Sequence, residues 1–258
     1  MSHVFRIAWI AIRELLYERV FYLLIIFALG SMGLSLLLGQ MTYAEQSKLT
    51  LDFMLGGIEL SMILFSVFMG ISLFQRELTL GSISMVLSKP VSRTSFLLGK
   101  FFGQLVVQLV VTLTMGLITA LVCSRYEGSV SVSHLAIFQT SLMIFFEIGV
   151  LTAITYFFAV NSGGVTTAVA TLCLFAMGHL EKTVSENLRA QDSAPQLVFH
   201  FVQNLIPNLE IFNMKAFASY GRAVPWVELG WASTYAICCV VFFLTLASLT
   251  FNRKDILT

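Results

Sequence analysis

RELTLGSISMVLSKPVSRTSFLLGK, Arg76–Lys100, separates two strongly apolar runs. The run before it, roughly Phe53–Phe74, and the run after it, roughly Phe101–Cys123, each approach the ~20 apolar residues that cross a bilayer as a helix. A connection that only reversed the chain could be about a fifth as long. Within the stretch, Ile83, Val86 and Leu87 recur at helical spacing, and Ser82, Ser84, Ser88 and Lys89 fill much of the rest. That pattern predicts a short amphipathic helix, with Gly81 near its start and Pro90 after its end. Periodicity leaves its partner open: a lipid surface or a protein on the same side of the membrane. Arg93 and Lys100 are seven apart, near one helical face, and are expected at the headgroup boundary.

Outward from this stretch the chain stays apolar. Hydrophobic residues make up 57% of the 258 and charged residues 11%, against roughly 25% charged in a soluble domain. The composition and the apolar runs predict an all-α, polytopic membrane protein, a single transmembrane domain over 1–258 with six transmembrane helices. These fall at roughly Val20–Gly39, Phe53–Phe74, Phe101–Cys123, Leu135–Val160, Val165–Leu180 and Leu229–Phe251, the fifth being short. Residues 3–19 place Val4, Phe5, Ala8, Trp9, Ile12, Leu15 and Leu16 on one face and Arg6, Arg13, Glu14 and Tyr17 opposite. That suits a helix lying in the membrane interface. A polar segment, 181–228, joins the last two spans. Within it Leu197, Val198, Phe201, Val202 and Leu205 form one stripe, too short to cross, which suggests a re-entrant or interfacial outer helix. Its role stays open between a structural lid and a contact for substrate or an external accessory protein.

Lysine and arginine near the span ends set the orientation. One side holds Arg6, Arg13, Arg19, Arg76, Lys89, Arg93, Lys100, Arg253 and Lys254. The other holds Lys48, Arg125, Lys182, Arg189, Lys215 and Arg222, of which the last four sit in the long segment, where the rule counts for less, and the two short links carry one each. Both termini and the loop 75–100 are therefore expected in the cytoplasm. No cleavable signal peptide is expected. A net charge of +1 gives no reason to expect nucleic acid. Cys123, Cys173, Cys238 and Cys239 form no CxxC, which argues against disulfide or zinc chemistry. His3, His134, His179 and His200 are scattered, "HLE" at 179–181 is not HExxH, and no Ser-His-Asp layout appears, so neither a metal site nor a catalytic residue is assigned. The eleven methionines are spread along the helices and read as packing. Glu147 lies near the middle of the fourth span with no cation close in sequence, and Glu59 lies early in the second. A carboxylate at such a depth needs a proton or a partner. Two roles are open for Glu147, a structural bond to another helix and the lining of a pathway, with Glu59 as a second candidate.

The string Glu77, Gly81, Ser82, Leu87, Ser88, Lys89, Pro90, Val91, Ser92, Arg93, then Gly99 and Lys100, resembles the cytoplasmic signature of type-2 ATP-binding-cassette (ABC) transporter permeases. The layout of the whole chain is similar to theirs. Leu205–Gly221, "LIPNLEIFNMKAFASYG", with the last span ending "FNRKDI", is similar to permeases of the multicopper-enzyme-maturation group. The resemblance implies that the loop forms a coupling helix seated in an ATPase cleft. Its residues would be Glu77, Gly81, Ser82, Ile83, Val86, Leu87, Lys89, Pro90 and Arg93. The chain has no G-x-x-x-x-G-K-[ST] phosphate loop, so no cofactor is expected on it, and ATP and Mg would sit on a separate ATPase. The implied partners are two ATPase subunits and a second copy or a related permease, in a bacterial cytoplasmic (inner) membrane. The expected function is ATP-driven export. The alternatives are a membrane anchor of an ATPase for mechanical signalling without transport, and an intramembrane enzyme.

Overall fold

The computed structural model describes residues 2–40, 46–79, 92–124, 133–188 and 207–253. Among them every regular element is helical. The order is α1 (Ser2–Tyr17), α2 (Arg19–Gln40), α3 (Gln46–Thr79), α4 (Arg93–Cys123), α5 (His134–Asn161), α6 (Gly164–Leu188), a 3-10 turn (Glu210–Phe212), α7 (Lys215–Ser219) and α8 (Trp226–Arg253). The all-α expectation holds, for the reason that helices satisfy their own backbone groups where no water can. Among the described residues five helices are long and apolar enough to cross a bilayer: Arg19–Leu37, Lys48–Phe74, Arg93–Cys123, His134–Asn161 and Trp226–Arg253. The remaining expected span is shorter. Its apolar part is Gly164–His179, and the helix continues through the polar Glu181, Lys182, Ser185 and Glu186 to Leu188. The outer stripe from Leu197 to Leu205 lies outside the described residues.

The helices flanking the opening stretch run further into it than hydropathy suggests. α3 continues to Thr79, and α4 starts at Arg93 rather than Phe101. The cause at Arg93 is local. Ser92 has extended backbone angles and its Oγ accepts from the Ser95 N–H at 3.2 Å, which is an N-cap. The Ser/Thr-rich half after Pro90 is thus a helix start followed by two helical turns, not a returning loop. α3, α4, α5 and α8 pack side by side, with α5 touching α3, α4, α6, α7 and α8. The spans of α3 and α5 are 72% and 78% buried, whereas those of α2, α4 and α8 are 22%, 33% and 28% buried. α3 and α5 therefore form the core of the bundle. Leu23, Ile26, Leu34 and Leu37 on α2, and Val241, Phe242 and Leu249 on α8, face outward, as lipid-facing side chains do.

α1 departs from a helix that simply lies on lipid. Ala8, Ala11 and Leu15 are buried, while Phe5, Trp9, Leu16 and Tyr17 are exposed. The buried edge is the small-residue one, and it rests on α4. A Cβ added at Gly99 would come within 2.7 Å of the Ile7 side chain. One added at Gly103 would come within 2.7 Å of the Ala8 carbonyl oxygen and 2.8 Å of Ala11 Cβ. Glycines four apart leave a groove into which a second helix can settle, the logic of small-xxx-small contacts in membranes. The single apolar face assigned from sequence therefore divides into a small-residue protein contact and an aromatic outer edge. Gly103→Leu is expected to force α1 off α4 and to cost about 1–3 kcal/mol. Gly30→Leu on α2, where an added Cβ meets nothing within 4 Å, should leave stability unchanged. Thermal melting of the two variants in detergent checks the contrast.

Candidate functional site

Four polar side chains stand at four-residue spacing along the largely apolar α4: Lys100, Gln104, Gln108 and Thr112. Such spacing stacks side chains along one helical face. All four are buried, and this stripe faces the core. Lys100 Nζ donates to Glu14 Oε2 at 2.9 Å and to the Leu73 carbonyl at 3.1 Å, and lies 5.5 Å from the centre of the Phe96 ring. Gln104 Nε2 donates to the Ser66 carbonyl at 3.1 Å. Gln108 Nε2 donates to Thr152 Oγ1 at 2.9 Å, and Ser66 Oγ lies 2.9 Å from the same hydroxyl. The result is a polar seam in which α4 is bonded to α1, α3 and α5.

Lys100 is therefore not a headgroup residue. It is 2% exposed, and its counter-charge comes from α1. Glu18, at the α1–α2 junction, adds a second tie by accepting from Ser72 Oγ at 3.2 Å. Arg93 has its own anchor: its guanidinium donates to the Phe251 carbonyl at 3.0 Å and sits 5.9 Å from the centre of that ring. The first turn of α4 is thus fixed to the last turn of α8.

A charged cluster lies midway along α5. Glu59 on α3, Glu147 on α5 and His179 on α6 converge. His179 Nε2 is 3.4 Å from Glu147 Oε1 and 3.7 Å from Glu59 Oε1. Lys215 on α7 pairs with Glu59 Oε2. On the same α7, Ser219 donates to Asp52 of α3, and Tyr220 just beyond it lies 4.8 Å under Lys48 Nζ. This segment is docked on α5 as well. The Val224 N–H donates to Gln139 Oε1 at 2.9 Å, and Gln139 Nε2 returns a bond to the Val224 carbonyl at 3.2 Å.

The structure thus brings together the two acids singled out in the sequence and supplies basic groups that sequence proximity could not show. His179 is 32 positions from Glu147, and Lys215 is 156 from Glu59. Of the residues expected in a coupling loop, Glu77 lies in the last turn of α3 and Arg93 opens α4. Gly81, Ser82, Ile83, Val86, Leu87, Lys89 and Pro90 lie outside the described residues. Gln104, Gln108 and His179 had not been singled out as site residues. The four-residue beat of α4 was a readable signal for the first two, while His179 gave none.

Lys100 is 2% exposed and Glu14 24%, so removing Glu14 strands a buried ammonium, at a cost of up to about 3–5 kcal/mol, and removing Lys100 costs less. Glu14→Gln and Lys100→Met are each expected to destabilise the protein, and the double variant by less than the sum of the two. A double-mutant cycle on thermal or denaturant unfolding reads that difference.

The chain matches the family model described as "ABC-2 family transporter protein" over residues 6–256. No curated protein matches it. The matched range takes in most of α1, the polar seam, the charged cluster and α8 together. With its apolar helices, that places the chain in the ABC-2 family of transporter proteins, as an integral membrane permease component of an ABC transporter that works with an ABC ATPase subunit.

Proposed function

We propose that this permease couples ATP hydrolysis on two separate ATPase subunits to export across a bacterial cytoplasmic membrane, paired with a second copy of itself or a related permease. The six apolar helices, α2 to α6 and α8, would all cross, with α1 at the cytoplasmic interface and both termini inside. The basic residues around 76–100 support that orientation. Gly81–Leu87 would be the helix that enters the ATPase, flanked by Glu77, Lys89 and Arg93. ATP and Mg would remain on the ATPase. The resemblance of Leu205–Gly221 to the multicopper-enzyme-maturation group supports that branch of the family.

The observation that carries the reading is the clamp on α4. The helix emerging from the loop is capped at Ser92, anchored to α8 by Arg93 and gripped by α1 at Gly99, Lys100 and Gly103. A displacement of the loop would then move α1, α4 and the end of α8 as one body. The polar seam would pass that movement to α3 and α5, and so to Glu147 and Glu59. Those acids are the candidates for a polar pathway, being carboxylates held inside a membrane-spanning bundle.

Leu87→Asp is expected to weaken capture of the ATPase by the tagged permease by about tenfold or more, as loss of a buried interface anchor does. ATP hydrolysis by the complex should fall with it, while Val165→Ala on α6 changes neither. Wild-type capture and hydrolysis by Leu87→Asp would contradict the docking role. Glu147→Gln should assemble with the ATPase and lower turnover by the complex. Unchanged turnover would remove Glu147 from the pathway.

A further inference from the structure

The cluster at Glu59, Glu147 and His179 has more ligand capacity than its hydrogen bonds use. The Glu147 side chain is 2% exposed. Its Oε1 and both ring nitrogens of His179 have no hydrogen-bond partner among the described residues. A buried carboxylate oxygen left in this state is costly. All three groups nevertheless point at one another. One oxygen from each glutamate and one ring nitrogen lie within 4.8 Å of one another. Around a tetrahedral ion with bonds of about 2.0–2.2 Å, neighbouring ligand atoms stand about 3.3–3.6 Å apart. The two observed separations to His179 Nε2 are 3.4 and 3.7 Å.

We propose that Glu59 Oε1, Glu147 Oε1 and His179 Nε2 form a binding site for a divalent first-row transition ion of the Zn²⁺ type, joining α3, α5 and α6 inside the bundle. The donor set selects the class of ion. One imidazole with two carboxylates suits Zn²⁺ and its borderline neighbours. Ca²⁺ and Mg²⁺ take oxygen almost exclusively, and Cu⁺ favours sulfur. Charge agrees as well, since two carboxylates match a divalent ion. The aromatic ring of Phe175, 4.5 Å from the imidazole centre, supports one side of His179. Lys215 has a definite part. Its ammonium holds Glu59 Oε2, which orients the carboxylate but also places a positive charge beside the ion. It therefore limits affinity.

The test uses the full-length permease, purified with chelator and returned to detergent or nanodiscs, with Zn²⁺ and Co²⁺ as probes. Equilibrium dialysis is expected to find about one Zn²⁺ per chain, with affinity falling about tenfold or more in His179→Gln and in Glu147→Gln. Lys215→Met should bind Zn²⁺ more tightly than wild type, a direction that loss of folding cannot produce. The Co²⁺ form of the wild type should show a tetrahedral nitrogen–oxygen spectrum. Wild type that binds no Zn²⁺ would overturn the site. A thiolate-to-Co²⁺ band would also overturn it, by moving the ion to a cysteine. Equal affinity in wild type, His179→Gln and Lys215→Met would do the same.

Discussion

An ammonium group 2% exposed in an apolar bundle must find a counter-charge, and Lys100 finds one on α1. That constraint organises one end of the molecule. Glu14 can reach Lys100 only if α1 lies directly on α4, and it lies there because Gly99 and Gly103 present no side chain to keep it away. The small residues Ala8 and Ala11 complete the fit from the other side. An amphipathic helix that could have floated on lipid is thereby made part of the bundle. Its exposed aromatic edge, Phe5, Trp9 and Tyr17, remains free for the interface.

From Lys100 the same physics runs on along α4. Hydrocarbon offers no water to a polar side chain, so a buried one gains where a neighbouring helix answers it; of the four at four-residue spacing on α4, Thr112 Oγ1 has no hydrogen-bond partner among the described residues. Gln104 is answered by α3 and Gln108 by α5, and Ser66 and Thr152 close the set. These bonds fix how α3, α4 and α5 are rotated about their axes, which dispersion between apolar faces would leave loosely specified. The charged cluster applies the rule on a larger scale, drawing α3, α5, α6 and α7 to one place. The permease thus has a buried ion pair near the start of α4, a hydrogen-bonded seam along that helix and a charged cluster midway along α5, and its outward surface is left to apolar side chains.

Much of this fold was legible in the sequence. Hydropathy located the apolar segments because a membrane span must be apolar over a fixed length. It misjudged their ends, since Ser92 starts α4 by a capping bond to which hydropathy is blind. Lys100 was assigned to the interface because an isolated lysine beside an apolar run ordinarily reaches for water. Its partner, 86 positions earlier, is a tertiary fact. Glu59 and Glu147 stood out as acids in apolar surroundings, but their convergence on His179 depends on how three helices pack. The four-residue recurrence of Lys100, Gln104, Gln108 and Thr112 was visible in the sequence, masked by the high hydropathy around it. The coupling helix proposed at Gly81–Leu87 rests on resemblance, and those residues lie outside the described ones.

The central claim is that α1 and α4 move as one body and carry a displacement of the loop into the core. Prising them apart tests it most directly. ATP hydrolysis by the complex with its ATPase would be measured for wild type, for Gly103→Leu, whose side chain has no room against Ala8 and Ala11, and for Gly30→Leu, where an added Cβ meets nothing within 4 Å. The account predicts that Gly103→Leu still binds the ATPase but loses stimulation of hydrolysis, while Gly30→Leu keeps it. Full stimulation by a Gly103→Leu permease that binds the ATPase would contradict it.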